Sequence, residues 1–112
     1  MKVIIVYIKP FLTEQIAEAL AGIGVVGVTV TEAKDFEQGK TRKEIYRGTE
    51  FEIPYEATTQ LEIITHDNRV DEAVELIESI NRHYEITDTK IIIKNMDDTI
   101  RIRDGVHGDD TL

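Results

Sequence analysis

Three fixed cations, Lys90, Arg101 and Arg103, crowd into the last quarter of an otherwise acidic chain. The chain carries 22 Asp and Glu residues against 13 Lys and Arg, a formal net charge of −9. Cations gathered in such a background point to a bound anion, and phosphate is the anion that Lys and Arg recognise best by charge and by forked hydrogen bonding. The stretch that leads into Lys90, HYEITDTK over residues 83–90, argues against a simple phosphate loop. Such loops place glycine where a phosphate touches the backbone or where φ is positive. Here the corresponding space holds Tyr84, Glu85, Thr87 and Thr89, and threonine is β-branched and poorly suited to positive φ.

The other chemistry-bearing residues are sparse. His66, His83 and His107 are the three imidazoles. HDN at 66–68 and HGDD at 107–110 could offer nitrogen and oxygen ligands to a divalent metal, with His66, His107 and Asp109 as the weak candidates. Neither has the tight spacing of a structural zinc site, so surface histidines beside acids are the preferred reading. There is no cysteine, which removes disulfides, thiol chemistry and thiolate metal sites. No nucleophile, base and orienting group recur in a recognisable pattern. The negative charge disfavours nucleic acid and anionic membrane surfaces, and the few aromatics disfavour a base-stacking platform. MKVIIVYIKPF has too short an apolar run for a span and no small-residue cleavage site, so a cytoplasmic protein is expected, with no membrane insertion.

The elements that must position these groups follow from hydrophobic period. KVIIVYI, residues 2–8, reads as a strand ended by Pro10. Thr13 is placed to cap a helix whose stripe is Ile16, Ala17, Leu20 and Ile23, stopped by Gly22 and Gly24. Residues 25–33 return as a strand. The pattern then repeats: a strand at 59–65, a cap at Asp67 or Asn68, and a helix striped by Val70, Ala73, Val74, Ile77 and Ile80. A strand at 89–94 follows, and TIRIR, residues 99–103, reads as a short fifth strand. Two β-α-β halves in one domain, residues 1–112, imply an α+β, ferredoxin-like double βαβ sandwich: an antiparallel sheet with two helices on one face. The other sheet face would be bare, so an oligomer is expected. Residues 37–55 form a long connection read as a mobile recognition loop, with a long hairpin disfavoured by weak apolar alternation. The tail, 104–112, reads as frayed or loosely docked. An acylphosphatase-type enzyme on this fold would need an arginine-bearing anion loop and an amide after the first strand, and KPFLTE has neither. The expectation is therefore no enzyme.

IKPF at 8–11, GVTVTEAK at 27–34, EIYRGTEFE at 44–52, LEII at 61–64, TDTKIII at 87–93 and IRIRDG at 100–105 together resemble the PII signal-transduction proteins. The resemblance covers essentially the whole chain and implies a homotrimer whose nucleotide sits in the cleft between neighbouring subunits. It implies that Lys90, Arg101 and Arg103 neutralise phosphate, that Gly27, Thr29, Glu62 and Ile64 lie on the base side, and that Asp88 and Thr89 belong to the phosphate-wrapping B-loop (here 82–90). It implies further that a T-loop, 37–55, meets a membrane transporter or metabolic enzyme through Lys40, Arg42, Tyr46, Arg47, Gly48 and Phe51. In channel-binding members, the arginine matching Arg47 plugs the channel exit.

The departures from the family pattern are specific. Tyr84, Thr87 and Thr89 replace B-loop glycines, and Glu85 stands where a lysine is frequent. The glutamine that helps bind Mg-ATP and 2-oxoglutarate falls on Gly39, with Gln38 one place earlier, and Thr58 replaces a lysine that grips 2-oxoglutarate. Phe51 stands where enteric members carry a uridylylated tyrosine, and it has no phenol hydroxyl to modify. The expected function is a non-catalytic PII-like regulator that senses a small effector, with ADP, ATP or AMP as candidates, through an altered site. The alternative is a PII-like scaffold that has lost nucleotide and 2-oxoglutarate sensing and binds another anion, a metal or only a protein partner. Tyr84 and Ile86 packing inward to close the cleft would account for the lost glycines.

Overall fold

The computed structural model describes residues 1–25, 27–36 and 42–112. The chain order is β1 (Lys2–Ile8), α1 (Thr13–Gly22), β2 (Val28–Asp35), β3 (Arg42–Tyr46), β4 (Thr49–Ile53), β5 (Glu56–Thr65), α2 (Val70–His83) and β6 (Ile91–Asn95). Four strands form one antiparallel sheet in the order β2-β5-β1-β6, and β3-β4 form a separate two-stranded ribbon. This is the α+β ferredoxin-like arrangement that the two β-α-β halves imply, with both helices on one face.

Period-two patterning explains the layering. On β5, Thr59, Leu61, Ile63 and Thr65 are buried while Gln60, Glu62 and Ile64 between them are not. On β1, Ile4, Val6 and Ile8 point the same way and join Leu12, Ile16 and Leu20 from the first half and Val70, Ala73 and Ile77 from α2 in one core. The opposite face carries Ile5, which pairs with Glu62 on one side and Ile92 on the other, and among the described residues no helix covers it.

The helix boundaries differ in detail from the sequence reading. The Thr13 hydroxyl donates back to the Pro10 carbonyl (2.8 Å) and caps no N–H, because a short 3-10 turn over Pro10–Leu12 already enters α1. Asp67 and Asn68 likewise lie within a 3-10 turn, Asp67–Arg69, and the Asp67 carboxylate faces the Met1 ammonium at 2.9 Å. The stop of α1 is as expected: Gly24 has φ +89°, and the Val25 N–H donates to the Leu20 carbonyl at 3.0 Å.

Two larger corrections concern the loop and the tail. Residues 42–53 form a β-hairpin, although the apolar alternation disfavoured one. Its turn is Arg47-Gly48, both with positive φ (52° and 77°), which is the backbone of a tight two-residue hairpin. Ile45 pairs with Glu50 and Phe51 with Glu44, so charged and apolar side chains share an exposed ribbon and no buried face reveals the period. TIRIR is not a strand: Ile100 makes one isolated bridge to His107, and Ile102 is 98% exposed. Asp104 captures both the Arg101 guanidinium and the Val106 N–H, and Gly105 at φ +71° turns the chain back. The tail then docks as a 3-10 turn, Gly108–Thr111, held by hydrogen bonds of Thr99 with Gly108 and Thr111.

Candidate functional site

The candidate site is built by the chain reversal after α2. Tyr84 and Ile86 donate their N–H groups to the Asn81 carbonyl (3.2 and 2.9 Å), and Glu85 between them takes φ +59°. A residue with positive φ is what the αL end of a helix requires, normally supplied by glycine. Here a glutamate supplies it. The reversal sends Tyr84 toward α1, where its ring meets Phe11 edge-on at 5.4 Å and its hydroxyl hydrogen-bonds to Gln15 at 3.2 Å. Ile86 packs inward against the core. Thr89 then donates its hydroxyl to the Tyr7 carbonyl at 2.6 Å and pins the loop to the end of β1.

The pinned loop forms one wall of a cleft of about 440 Å³. Asp88, Thr89 and Lys90 face Lys34 and Asp35 at the end of β2. Tyr7 and Lys9 lie at the end of β1, with Glu56 and Thr58 at the start of β5. The cleft is therefore open, and Tyr84 does not close it. Lys9 is occupied by Glu56 at 3.4 Å, and the Thr58 hydroxyl is spent on the Ile8 carbonyl at 3.0 Å. Lys34 lies over the Tyr55 ring at 4.6 Å, whose other neighbour is Phe36. Lys90 has no ion-pair partner among the described residues, which leaves its ammonium available to an incoming anion.

The remaining phosphate-side and base-side candidates lie elsewhere on the chain. Thr29 and Glu62 are paired across β2 and β5, and the Gly27 carbonyl accepts the Ile64 N–H at 3.4 Å. Arg101 and Arg103 belong to the C-terminal turn. Arg101 grips Asp104 through two nitrogens at 2.8–3.1 Å, and its guanidinium holds the Asp104 carboxyl below the ordinary carboxylate range. None of these six residues lines the cleft that holds Lys90. One chain thus presents two separate sets of the candidate residues.

On the hairpin, Tyr46, Arg47 and Gly48 form the tip, with the Arg47 guanidinium 5.4 Å from the Tyr46 ring centre. Phe51 lies on β4 and Arg42 opens β3; Lys40, Gln38 and Gly39 lie outside the described residues. The weak metal candidates do not converge. His66 faces Asp109 at 3.4 Å beside the Met1 ammonium, whereas His107 pairs with Asp98 at 2.7 Å. Among the described residues no three such ligands cluster. The His107 hydrogen bond lowers the Asp98 pKa, and the Met1 ammonium lowers that of Asp67.

Sequence reasoning missed Tyr7, Lys9, Lys34, Asp35 and Glu56 as cleft residues. For Lys34 and Asp35 a signal existed: the alternation of VTVTEA runs on through them, so β2 extends to the cleft before the chain leaves for the loop. For Tyr7 the decisive contact, from Thr89, spans 82 positions and leaves no local trace.

Fold and site together define a small α+β domain with an open cleft, lined by three lysines and three carboxylates, at the root of a hairpin. Comparison with known proteins gives the family. The model of the family "Nitrogen regulatory protein P-II" matches residues 1–106. The nitrogen regulatory protein P-II of Rhizobium etli is 40% identical over 105 residues, 94% of each chain. That of Azospirillum brasilense is 37% identical over 112 residues, all of each chain. The nitrogen regulatory protein GlnK of Escherichia coli is 36% identical over 105 residues, again 94% of each chain. The chain belongs to the P-II family of nitrogen regulatory proteins.

Proposed function

We propose that this protein is a non-catalytic, trimeric regulator in which a small anionic effector, bound between subunits, sets the state of the hairpin over residues 42–53 and thereby its grip on a transporter or metabolic enzyme. The observation that carries the reading is the cleft itself. It places Lys90 opposite Lys34 and Asp35, the last residues of β2 before the chain leaves for the hairpin. An anion held by Lys90 therefore lies against the root of the ribbon, and any preference for one root geometry shifts the population of hairpin states. The uncovered apolar face around Ile5 and Ile92 supports assembly. Assembly in turn supports joining the two residue sets, with Thr29, Glu62, Arg101 and Arg103 of one subunit completing the Lys90 cleft of the next.

The effector is an adenine nucleotide held differently from a fully wrapped triphosphate. Thr89 directs its hydroxyl into the chain rather than leaving a glycine cradle, and Glu85 occupies the αL position. One observation favours the second reading, a scaffold without nucleotide sensing: Arg101 is already neutralised by Asp104. A thermal-shift screen with ATP, ADP, AMP, 2-oxoglutarate, bicarbonate and divalent metals separates the two, because a ligand of the folded state raises the midpoint. A rise with a nucleotide supports the regulator. A flat response to every compound supports the scaffold.

A further inference from the structure

The register between β2 and β5 ends at Asp35 opposite Glu56. The next residue on each strand is aromatic: Phe36 leads out toward the hairpin, and Tyr55 returns from it. Their rings meet at 5.3 Å between centres and 45° between planes, within the range at which aromatic pairs attract. Phe36 is 65% exposed, so the core does not hold it. The ring pair thus joins the two legs of the excursion where the sheet lets them go. Lys34, just before this point on β2, sets its ammonium 4.6 Å from the centre of the Tyr55 ring. Among the described residues no carboxylate pairs with Lys34. Lys34 also lines the cleft that holds Lys90. One ammonium therefore stands between a ring at the root and the space that an anion would enter.

We propose that Lys34 is the positioning residue that couples the cleft to the hairpin: a phosphate in the cleft takes the ammonium off the Tyr55 ring, and the Phe36–Tyr55 pair between the two legs loosens. A cation over an exposed ring is held weakly, whereas charge-assisted hydrogen bonds to phosphate are among the strong ones, so the phosphate wins the exchange. The proposal rests on the effector reading above and adds a sign to it. Ring and phosphate compete for one ammonium, so by linkage each weakens the hold of the other. Lys90 supplies charge to the phosphate without touching either ring; Lys34 alone among the cleft lysines does both.

The test is calorimetric titration of ADP into the full chain, Tyr55→Leu and Lys34→Met, with the aromatic ring signals and the amide order parameters of the hairpin followed by NMR. In the unaltered chain ADP should displace the Tyr55 and Phe36 ring signals along its binding curve and lower the order parameters over residues 42–53. Tyr55→Leu removes the competitor, so ADP should bind about two- to fivefold more tightly while the hairpin no longer responds to it. A ring that merely stabilised the root would not, on removal, tighten binding. Without ligand, Lys34→Met should move the ring signals in the direction that ADP moves them, and ADP should then add no further displacement; this variant decides the matter if Tyr55→Leu fails to fold. Absence of ADP binding to the unaltered chain overturns the effector reading and this proposal with it. Binding that leaves the Tyr55 ring signals in place overturns the proposal alone. So does a folded Tyr55→Leu that binds ADP no more tightly, or a Lys34→Met whose ring signals match the unaltered chain.

Discussion

Glu85 gives the sharpest test of how the candidate site is built. It ends α2 at φ +59°, a conformation that costs an L-residue other than glycine roughly 1–2 kcal/mol. Glu85→Gly removes that cost but returns roughly 0.5–1 kcal/mol through the greater freedom of glycine in the unfolded chain. The hydrogen bonds across the turn, Glu85 N–H to the Arg82 carbonyl at 3.0 Å and Ile86 N–H to the Asn81 carbonyl at 2.9 Å, need no side chain and survive. Taken at mid-range, the balance is a stabilisation of about 0.75 kcal/mol, or about 3–5 °C in midpoint for a chain of this length. Glu85→Ala separates backbone from charge, since alanine keeps the Cβ and loses the carboxylate. It should stay within about 0.5 kcal/mol of the parent, as most surface changes do. The assay is urea and thermal unfolding followed by circular dichroism at one fixed protein concentration. If Glu85→Gly is no more stable than Glu85→Ala, the backbone at position 85 is not strained and the account of the reversal fails.

Other consequences follow from the same geometry. Arg47→Asn should stabilise the hairpin turn, because asparagine tolerates positive φ better than arginine; amide exchange at Tyr46 and Thr49 should slow by about two- to fivefold with no change in the global midpoint. Leu61→Ala, at a fully buried position, should cost about 2–5 kcal/mol in urea unfolding. Asp98 and Asp104 have pKa values below their ordinary 3.8, so their contribution to docking the C-terminal turn is present above that value and is lost as pH falls through the depressed values. Amide exchange at Val106 should accordingly accelerate only below about pH 4, and Asp104→Asn should remove its share of that acid step. Acceleration centred near neutrality would contradict the assignment.

What was legible in the sequence was what local period encodes. Leu61 and Ile63 alternating with Gln60 and Glu62 marked β5 and its two faces, and Ile77 with Val70 and Ala73 marked the buried side of α2. The same rule failed where alternation arises without a sheet. Ile100 and Ile102 have a strand's spacing, but Asp104 takes the Arg101 guanidinium and folds the segment back on itself. The hairpin was missed for the opposite reason: its faces are all solvent-exposed, so Ile45 and Phe51 need no period, and its turn rests on an arginine with positive φ where Asn-Gly would have been recognisable. Of the candidate site, Lys90 stood out as a cation in an acidic chain, and Asp88 and Thr89 entered through the family resemblance; all three line the cleft. That cleft depends on Thr89 reaching Tyr7, a contact between distant segments. Departures from the family pattern at Tyr84 and Glu85 proved to be structural, one turned onto Phe11 and the other holding the αL position.

The central claim, that Lys90 holds an anionic effector against the root of the hairpin, is tested most directly by calorimetric titration of ADP into the intact protein and into Lys90→Ala at low ionic strength. The account predicts saturable binding to the intact protein and at least about tenfold weaker binding to Lys90→Ala, the loss expected when one charge-assisted contact of about 1.4 kcal/mol or more is removed. Equal affinity in the two proteins, or no heat from ADP, ATP or AMP with either, would contradict it.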